Sequence, residues 1–233
     1  MELPAEARRQ LTILAGGLVV SCQASEDSPL HGTSWMAAMA AAAVAGGAVG
    51  IRANGPADIA MIRRRMTVPI VGINKVRAPD SAVFITPSRR SAQEVIEAGA
   101  LLVALDGTAR PRQPGETLGD VISYIHGEGA AALADISTLE EALAAASLGA
   151  DMVGTTLSGY TRNSPQQEEP DFALLEALRQ YSPLPFFAEG RIWTREQAAR
   201  ALSIGAAFVV VGTAITNPQA ITKRFVQALR TSD

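Results

Sequence analysis

The stretch GAAALADISTLEEALAAASLGADMVGTT, residues 129–156, contains the unit that decides the fold. An apolar run at 131–136 is followed by a helical pattern over 139–146 and then by a second apolar run at 151–156. A strand, a helix and a second strand in this order form a βαβ unit with parallel strands. Gly-Ala pairs precede both runs, and glycine there supplies the left-handed residue that ends a helix.

The same unit repeats along the whole chain. Eight apolar runs begin at Gly17, Ala48, Pro69, Leu101, Ala130, Asp151, Pro185 and Phe208. Helical patterns follow at 34–45, 58–65, 92–98, 118–126, 139–146, 171–181, 195–203 and 218–229, and Gly-Ala pairs recur at 47/48, 99/100 and 205/206. Dividing the 233 residues by eight gives about 29 residues for each strand with its helix, which is close to the ~30 residues of a βαβ unit.

Eight βα units predict an α/β fold, a (β/α)8 TIM barrel. The domain spans residues 1–233 and includes a short N-terminal helical segment at 4–14. The helix-to-strand joints are short, whereas the strand-to-helix loops at 74–90, 106–116 and 156–170 are long and polar. This asymmetry is typical of a barrel whose active site lies at the carboxyl ends of the strands. A doubly wound open sheet is the alternative, but the chain has neither G-x-G-x-x-G nor G-x-x-x-x-G-K-[ST].

Composition excludes several classes of function. The chain has 20 Lys and Arg against 23 Asp and Glu, with no long basic run, so we expect no nucleic-acid partner. The single cysteine, Cys22, cannot form an internal disulfide, and two histidines far apart give no metal-ligand spacing. We therefore expect no metal and no disulfide scaffold.

The N-terminal residues superficially resemble a targeting signal. Arg8 and Arg9 precede an apolar run at 11–20 that ends near Cys22, as in a lipoprotein leader. Acidic residues upstream, the Gly16-Gly17 pair and the need for 17–23 as a strand favour the barrel interpretation. The Ala-rich stretch at 37–47 is shorter than the ~20 apolar residues of a transmembrane helix, so we expect no membrane segment and a cytoplasmic protein.

Polar residues follow every strand of the predicted barrel. They are Gln23, Arg52, Lys75, Asp106, Asp135, Thr155, Thr156, Glu189, Gly212 and Thr213. Each charge alone could be an ordinary rim residue. The barrel brings all strand ends to one mouth, and a charge after a buried strand is costly without a partner or a ligand. The charges of Arg52, Lys75, Asp135 and Glu189 together therefore favour a site.

Two glycine-containing segments predict a phosphate site. Gly190 and Arg191 follow the seventh strand, while Gly212 and Thr213 follow the eighth, where barrels commonly bind phosphate. Backbone N–H groups at such turns point at an anion and Arg191 could add charge, although the glycines could instead merely permit tight turns. His126 is interpreted as a helix-end residue, and we assign His31 no catalytic role.

Several motifs resemble one enzyme family. GGLVVSCQA from Gly16, MAAMAAAAVAGGAVGIRANG from Met36, PIVGINK from Pro69, ADMVGTTLSGYT from Ala150, FFAEGRI from Phe186 and FVVVGTAITNP from Phe208 resemble N-acetylmannosamine-6-phosphate 2-epimerases of sialic acid breakdown. The resemblance runs from the first strand to the last helix. It departs at Asn74, where an apolar residue is expected, and in the VRAPDS stretch that follows Lys75.

The resemblance implies epimerisation without a cofactor, on a phosphorylated N-acetyl amino sugar. N-Acetylmannosamine 6-phosphate would open to its aldehyde, lose the proton at C2 and regain one on the other face. Lys75 would be the acid/base, with Glu189 and Asp135 assisting, while Arg52 and Gln23 hold the reacting end. Asp106, Thr155 and Thr156 are expected to contact the sugar.

The sequence leaves three questions open. Lys75 must be neutral to act as a base, which burial and Arg52 favour and the two carboxylates oppose. Another phosphosugar epimerase, such as a pentose-phosphate 3-epimerase, and a non-catalytic phosphosugar-binding barrel are the alternative functions. A homodimer is the assembly considered, with the helix at 36–46 as a candidate interface, although packing of that helix against its own barrel is favoured.

Overall fold

Eight parallel strands close into a barrel in chain order, and the last strand pairs with the first. The computed structural model describes residues 3–77, 81–113 and 115–230. The strands are β1 Leu18–Cys22, β2 Gly50–Asn54, β3 Ile70–Ile73, β4 Leu102–Asp106, β5 Ala131–Asp135, β6 Met152–Gly154, β7 Phe186–Glu189 and β8 Val209–Val211. The (β/α)8 barrel that the sequence predicts is confirmed.

Helices alternate with the strands close to where the sequence predicts them. They are α1 Ala5–Leu14, α2 Thr33–Ala45, α3 Pro56–Arg65, α4 Arg89–Glu97, α5 Leu118–Gly127, α6 Leu139–Ser147, α7 Phe172–Tyr181, α8 Arg195–Ile204, α9 Thr213–Thr216 and α10 Pro218–Arg230. The four-residue α9 and a 3-10 turn at Thr155–Leu157 were not predicted. The glycines of all five Gly-Ala joints have φ between +75° and +122°, as helix-ending glycines require.

Strand alternation sorts the buried residues into two layers. Side chains such as Val19, Ile73 and Phe187 fill the barrel interior, whereas Val20 and Ile51 face the surrounding helices. Helix α1 packs Ala7 and Leu14 against the interior layer, together with residues of several strands. Because side chains alternate between faces with period 2, this alternation also decides which residues at the strand ends point into the mouth.

The described residues contain no helix with both the length and the apolar character needed to cross a membrane.

Gly154, the last residue of β6, provides a test of the interior packing. A Cβ atom there would lie 2.0 Å from Cζ of Phe187, whose ring stacks on Phe208 at a centroid distance of 4.9 Å. Since both rings are fully buried, we expect G154A to lower the free energy of unfolding by about 1–3 kcal/mol, measured by urea denaturation.

Gly127 supplies the matched control. A Cβ added at Gly127 would meet nothing within 4 Å, so G127A should change the stability by no more than about 0.5 kcal/mol. Equal urea midpoints for G154A and the wild type would contradict this account of the interior.

Candidate active site

A cavity of about 1100 Å³ opens at the carboxyl ends of the strands. Eight of the twelve predicted site residues line it: Gln23, Lys75, Thr156, Glu189, Gly190, Arg191, Gly212 and Thr213. The other four, Arg52, Asp106, Asp135 and Thr155, are not part of its lining. The cavity at the mouth of the barrel therefore brings together most of the predicted residues, and four of them do not reach it.

A buried ion cluster lies at the base of this cavity, formed by Arg52, Asp135 and Glu189. The Arg52 Nη2 donates to Asp135 Oδ2 at 2.5 Å, and its Nη1 lies 3.0 Å from Glu189 Oε2. The side chains of Arg52 and Asp135 are 1% and 0% exposed, whereas Glu189 is 14% exposed and reaches the cavity. We call these three residues the floor cluster.

Charge compensation governs the protonation of the floor cluster. Burial alone would lower the pKa of Arg52, but Asp135 and Glu189 outweigh it and raise that pKa above its ordinary value. Burial raises the pKa of Glu189 to about 7, helped by the Asp135 charge and opposed by Arg52 and Lys75. Glu189 can therefore gain or lose a proton near neutral pH.

Two adjacent threonines face opposite sides of the barrel wall. The Thr156 hydroxyl donates to Asp135 Oδ1 at 2.6 Å and lies 3.3 Å from Glu189 Oε2, so it braces the floor cluster from inside the cavity. The Thr155 hydroxyl donates to the Glu189 carbonyl at 2.9 Å and accepts from its N–H at 3.1 Å. Thr155 thus fixes the backbone of Glu189, and its predicted contact with the sugar stays a prediction without geometric support.

Lys75 lies just beyond β3 and lines the cavity. Although the residue is exposed at the mouth, desolvation by the surrounding walls and the Arg52 charge lower the pKa of its ammonium, while Glu189 and Asp135 oppose the change. The two lowering influences prevail, so the pKa lies below its ordinary value. A lowered pKa favours the neutral amine form of Lys75, which is the form that can accept a proton.

Asp106 is held away from the cavity although strand alternation points it inward. It is fully buried, its Oδ1 accepts from the Thr108 hydroxyl at 2.7 Å, and its Oδ2 accepts from Arg110 at 2.5 Å. Burial raises the pKa of Asp106, while Thr108 and Arg110 oppose the shift. These partners come from the loop directly after β4, so Asp106 anchors that loop, and its predicted contact with the sugar also lacks geometric support.

Arg191 and its neighbours form the wall between β7 and β8. Gly190 has φ +114° and Arg191 has φ +56°, a rare conformation for a residue with a side chain. The Arg191 Nε donates to the Glu169 carbonyl at 2.9 Å and its Nη1 donates to the Ser158 carbonyl at 2.7 Å. The guanidinium therefore already binds both ends of the loop after β6, while its charge still faces the cavity.

The backbone of Lys75 is held from two sides. Its N–H donates to Asn54 Oδ1 at 2.9 Å, and an antiparallel bridge joins it to Ile85. Thr86 has φ +43° and is fully buried, with its N–H donating to the Asn74 carbonyl at 2.8 Å and its hydroxyl donating to the Ala104 carbonyl at 2.6 Å. These contacts fix the segment that carries Lys75.

Asn74 stands where the family resemblance leads us to expect an apolar residue, and its side chain has a specific hydrogen-bond partner. Its Nδ2 donates to Glu94 Oε2 at 2.7 Å, so the polar side chain pairs with α4 while remaining largely buried. Residues 78–80 of the VRAPDS stretch lie outside the described residues.

Sequence reasoning missed several residues of the wall. Asn54 lines the cavity two positions after Arg52, on the same face of β2, and period 2 was the signal that could have identified it. His31, Tyr160 and Trp193 also line the cavity, from loops whose course no local pattern specifies. His126 lies near the end of α5, as predicted, and its Nε2 is 2.9 Å from Asp151 Oδ2.

Among the described residues, no group of three or more His, Cys, Asp or Glu side chains has the arrangement of a metal site.

Comparison with known proteins places the chain in a family. A family profile for N-acetylmannosamine-6-phosphate epimerases matches residues 36–231. The chain belongs to this family. A protein named N-acetylmannosamine-6-phosphate 2-epimerase from Caldanaerobacter subterraneus is 49% identical over 219 residues, which cover 93% of this chain and 92% of the relative. The resemblance inferred from the sequence is thereby confirmed.

Solved structures agree with this family assignment. The N-acetylmannosamine-6-phosphate 2-epimerase from Clostridium perfringens superposes with a TM-score of 0.92 at 47% identity, covering 94% of this chain and 95% of that one. A thiamine phosphate pyrophosphorylase from Pyrococcus furiosus shares only the fold, with a TM-score of 0.57 at 18% identity over 95% and 96% of the two chains.

The floor cluster predicts a pH-dependent loss of stability in R52M. Removing the guanidinium leaves two buried carboxylates without compensation, which should lower the free energy of unfolding by about 3–5 kcal/mol at pH 8. The Glu189 pKa, already about 7 and above its ordinary 4.5, rises further without Arg52. A group with a raised folded-state pKa destabilises the fold as the pH rises, so the deficit should shrink at pH 5.

Arg90 supplies the control for R52M in urea denaturation at both pH values. Its side chain is 87% exposed beside Glu94, so R90M should stay within about 0.5 kcal/mol of the wild type. An equal loss of unfolding free energy in R52M at pH 5 and pH 8 would contradict the proposed charge compensation within the floor cluster.

Proposed function

We propose that the protein epimerises N-acetylmannosamine 6-phosphate at C2 to N-acetylglucosamine 6-phosphate, in the breakdown of sialic acid and related amino sugars, without a cofactor. The observation that carries the proposal is Lys75 at the cavity wall beside the floor cluster, in a chain of this epimerase family. Family membership favours this function over a pentose-phosphate 3-epimerase. The lowered pKa of Lys75 favours it over a barrel that only binds phosphosugars.

The reaction begins with proton transfer to Lys75. In the open-chain sugar the C2–H bond breaks, its electron pair moves into the C1–C2 bond, and the C1 oxygen becomes negative. The neutral Lys75 Nζ accepts the proton. Rotation of the planar enolate within the cavity presents its opposite face to the Lys75 ammonium, which returns the proton there and gives the epimer, so atoms and electrons balance without an added reactant.

The floor cluster sets the electrostatic conditions for this transfer. Arg52 lowers the pKa of Lys75 and places a permanent positive charge beneath the site where the enolate forms. Glu189 and Asp135 keep the buried guanidinium compensated in the resting enzyme. When the Lys75 ammonium forms, the Glu189 carboxylate stabilises it, so the cluster serves both halves of the proton cycle.

We propose that the phosphate binds between β7 and β8 and that Gln23 contacts the reacting end of the sugar. Gly190 and Gly212 bring backbone close to the cavity at this wall, and the Arg191 charge lies beside them. The Gln23 Nε2 donates to the Ser21 hydroxyl at 2.7 Å, while its Oε1 is buried without a hydrogen-bond partner among the residues that the structure describes. A sugar hydroxyl is a suitable donor to that oxygen.

Replacement of Lys75 tests the proposed base. We expect K75A to lower kcat for N-acetylmannosamine 6-phosphate by at least about 100-fold, because the proton acceptor is lost. Lys223, on the exposed face of α10, provides a matched control, and K223A should keep wild-type turnover. Wild-type product formed in heavy water should carry deuterium at C2; normal turnover by K75A would refute the assignment.

The pH profile of E189Q tests the coupling between Glu189 and Lys75. Since the Glu189 charge raises the pKa of Lys75, its removal should shift the acidic limb of kcat/KM to lower pH. E128Q, at an exposed position after α5, should leave the profile unchanged. A shift of the acidic limb to higher pH in E189Q would show that the sign of the coupling is wrong.

We also propose that the protein is a homodimer. Each of α1 to α8 buries residues against the barrel, whereas α10 has no buried residue. Its apolar side chains include Phe225 and Leu229, which are 71% and 80% exposed. A helix of 13 residues is only marginally stable alone in water, so we expect α10 to pack against a partner. Most soluble oligomers consist of identical chains, and a second copy of this chain is therefore the partner that we propose.

This interface differs from the candidate predicted from the sequence. Helix α2 buries Met36, Ala37 and Ala40 in its own barrel, which agrees with the favoured interpretation of that helix.

Light scattering after gel filtration tests the dimer. Wild type should elute with twice the 24.3 kDa chain mass, while F225D/L229D should elute as a monomer because a carboxylate is costly at an apolar interface. Q219D adds one carboxylate at an exposed position in the first turn of α10, away from Phe225 and Leu229, and should remain dimeric. A monomeric wild type, or a dimeric double variant, would contradict the proposal.

A cytoplasmic location is proposed as well, because a phosphorylated sugar is charged and does not cross a bilayer unaided. Recovery of the protein in the membrane or extracellular fraction of cells would contradict it.

A further inference from the structure

The proposed mechanism leaves the C1 oxygen of the enolate without a direct hydrogen-bond donor. Arg52 lies behind the cavity wall, and both of its terminal nitrogens already contact carboxylates. Gln23 uses one of its two Nε2 hydrogens on the Ser21 hydroxyl, so at most one remains for the reacting end of the sugar. A negative oxygen that forms in a water-poor site needs donors placed before the reaction, so another residue is required to supply one.

Asn54 meets this requirement by its position. It is the last residue of β2, lines the cavity, and lies on the same strand face as Arg52. Its Oδ1 accepts the N–H of Lys75 at 2.9 Å, which places the amide directly against the residue that takes the C2 proton. Asn54 and Lys75 line the same cavity, so the amide and the lysine amine face the same bound sugar, whose C1 and C2 are bonded to each other.

The Lys75 contact also orients the amide. A backbone N–H can only donate, so the Asn54 atom that faces it must be the oxygen, and Nδ2 is left as the outward donor. Within the described parts of the chain, that Nδ2 has no protein acceptor, and the residue is only partly buried. The donor is therefore available to a molecule bound in the cavity.

We propose that Asn54 is a further catalytic residue, donating from Nδ2 to the C1 oxygen as it becomes negative while its Oδ1 positions Lys75. This inference rests on the proposed epimerase function and names the group that stabilises its intermediate. The side chain that offers the donor thereby also holds the backbone from which the Lys75 amine extends. The bond between Thr86 and Asn74 holds the same segment from its other side.

Two variants separate the roles of the two amide atoms. N54L is close in size and removes both, whereas N54D keeps an oxygen for the Lys75 N–H, loses the donor and adds a negative charge. We expect each to lower kcat by about 10²–10³-fold, the usual effect of losing one such donor. The KM for N-acetylmannosamine 6-phosphate should change little, because the donor acts chiefly on the negative oxygen of the transition state.

N54D carries a second, independent readout. A carboxylate beside Lys75 favours its ammonium form, so the acidic limb of the kcat/KM profile should move to higher pH in N54D and not in N54L. A merely structural defect would not produce this difference between the two variants.

An inhibitor pair and a surface control complete the experiment. The alditol phosphate made by reducing the substrate has no C1 carbonyl and should inhibit N54L and wild type equally, whereas a phosphorylated hydroxamate, which resembles the enolate, should lose at least about tenfold in affinity for N54L. N163L, at an exposed position of the loop after β6, should behave as wild type.

Each outcome bears on a separate claim. Wild-type kcat in both Asn54 variants, or equal losses for the two inhibitors, would overturn the role of Asn54 even if K75A is inactive. A wild-type enzyme that fails to epimerise the sugar phosphate would instead overturn the proposed function, before any Asn54 variant is needed.

Discussion

A guanidinium buried between two carboxylates is the interaction on which the mouth of this barrel depends. Arg52 is fully enclosed, so its charge must be compensated within the protein, and Asp135 and Glu189 provide that compensation from β5 and β7. The cluster thereby joins three strands of the barrel. Burial and the Arg52 charge lower the pKa of Lys75 against the opposing charges of Glu189 and Asp135, and burial raises that of Glu189 to about 7 against the Arg52 charge. The ions that join the strands therefore also influence proton transfer.

Much of this arrangement follows from patterns in the sequence. The repeated Gly-Ala joints and apolar runs gave both the barrel and the strand ends, and a barrel brings strand ends together whatever the loops do. Lys75, Glu189 and Arg52 are predictable for that reason. The family resemblance added their chemical roles, and the family is confirmed by comparison, whereas the roles of individual residues remain proposals.

The sequence did not predict which strand-end residues line the cavity, because that depends on the direction of each side chain and on its hydrogen-bond partners within the protein. Thr155 and Thr156 are adjacent in the sequence, yet only Thr156 lines the cavity, because alternation places its neighbour against the Glu189 backbone. Asp106 points inward but is bound by Thr108 and Arg110 from a loop whose conformation no local pattern encodes. The exposure of α10 is equally invisible in a chain read alone, since an amphipathic helix has the same pattern whether its partner is internal or external.

The contact between Arg191 and Gly159 has a consequence for how this site can evolve. A Cβ atom at Gly159 would lie 1.5 Å from Nη1 of Arg191, so no side chain at position 159 is compatible with the arginine where it stands. The position of the Arg191 side chain thus depends on glycine at position 159, although the two residues lie on different loops. A side chain gained at Gly159 would displace the guanidinium, and loss of Arg191 would remove its hydrogen bonds to the Ser158 and Glu169 carbonyls, so either change weakens the junction between the two loops.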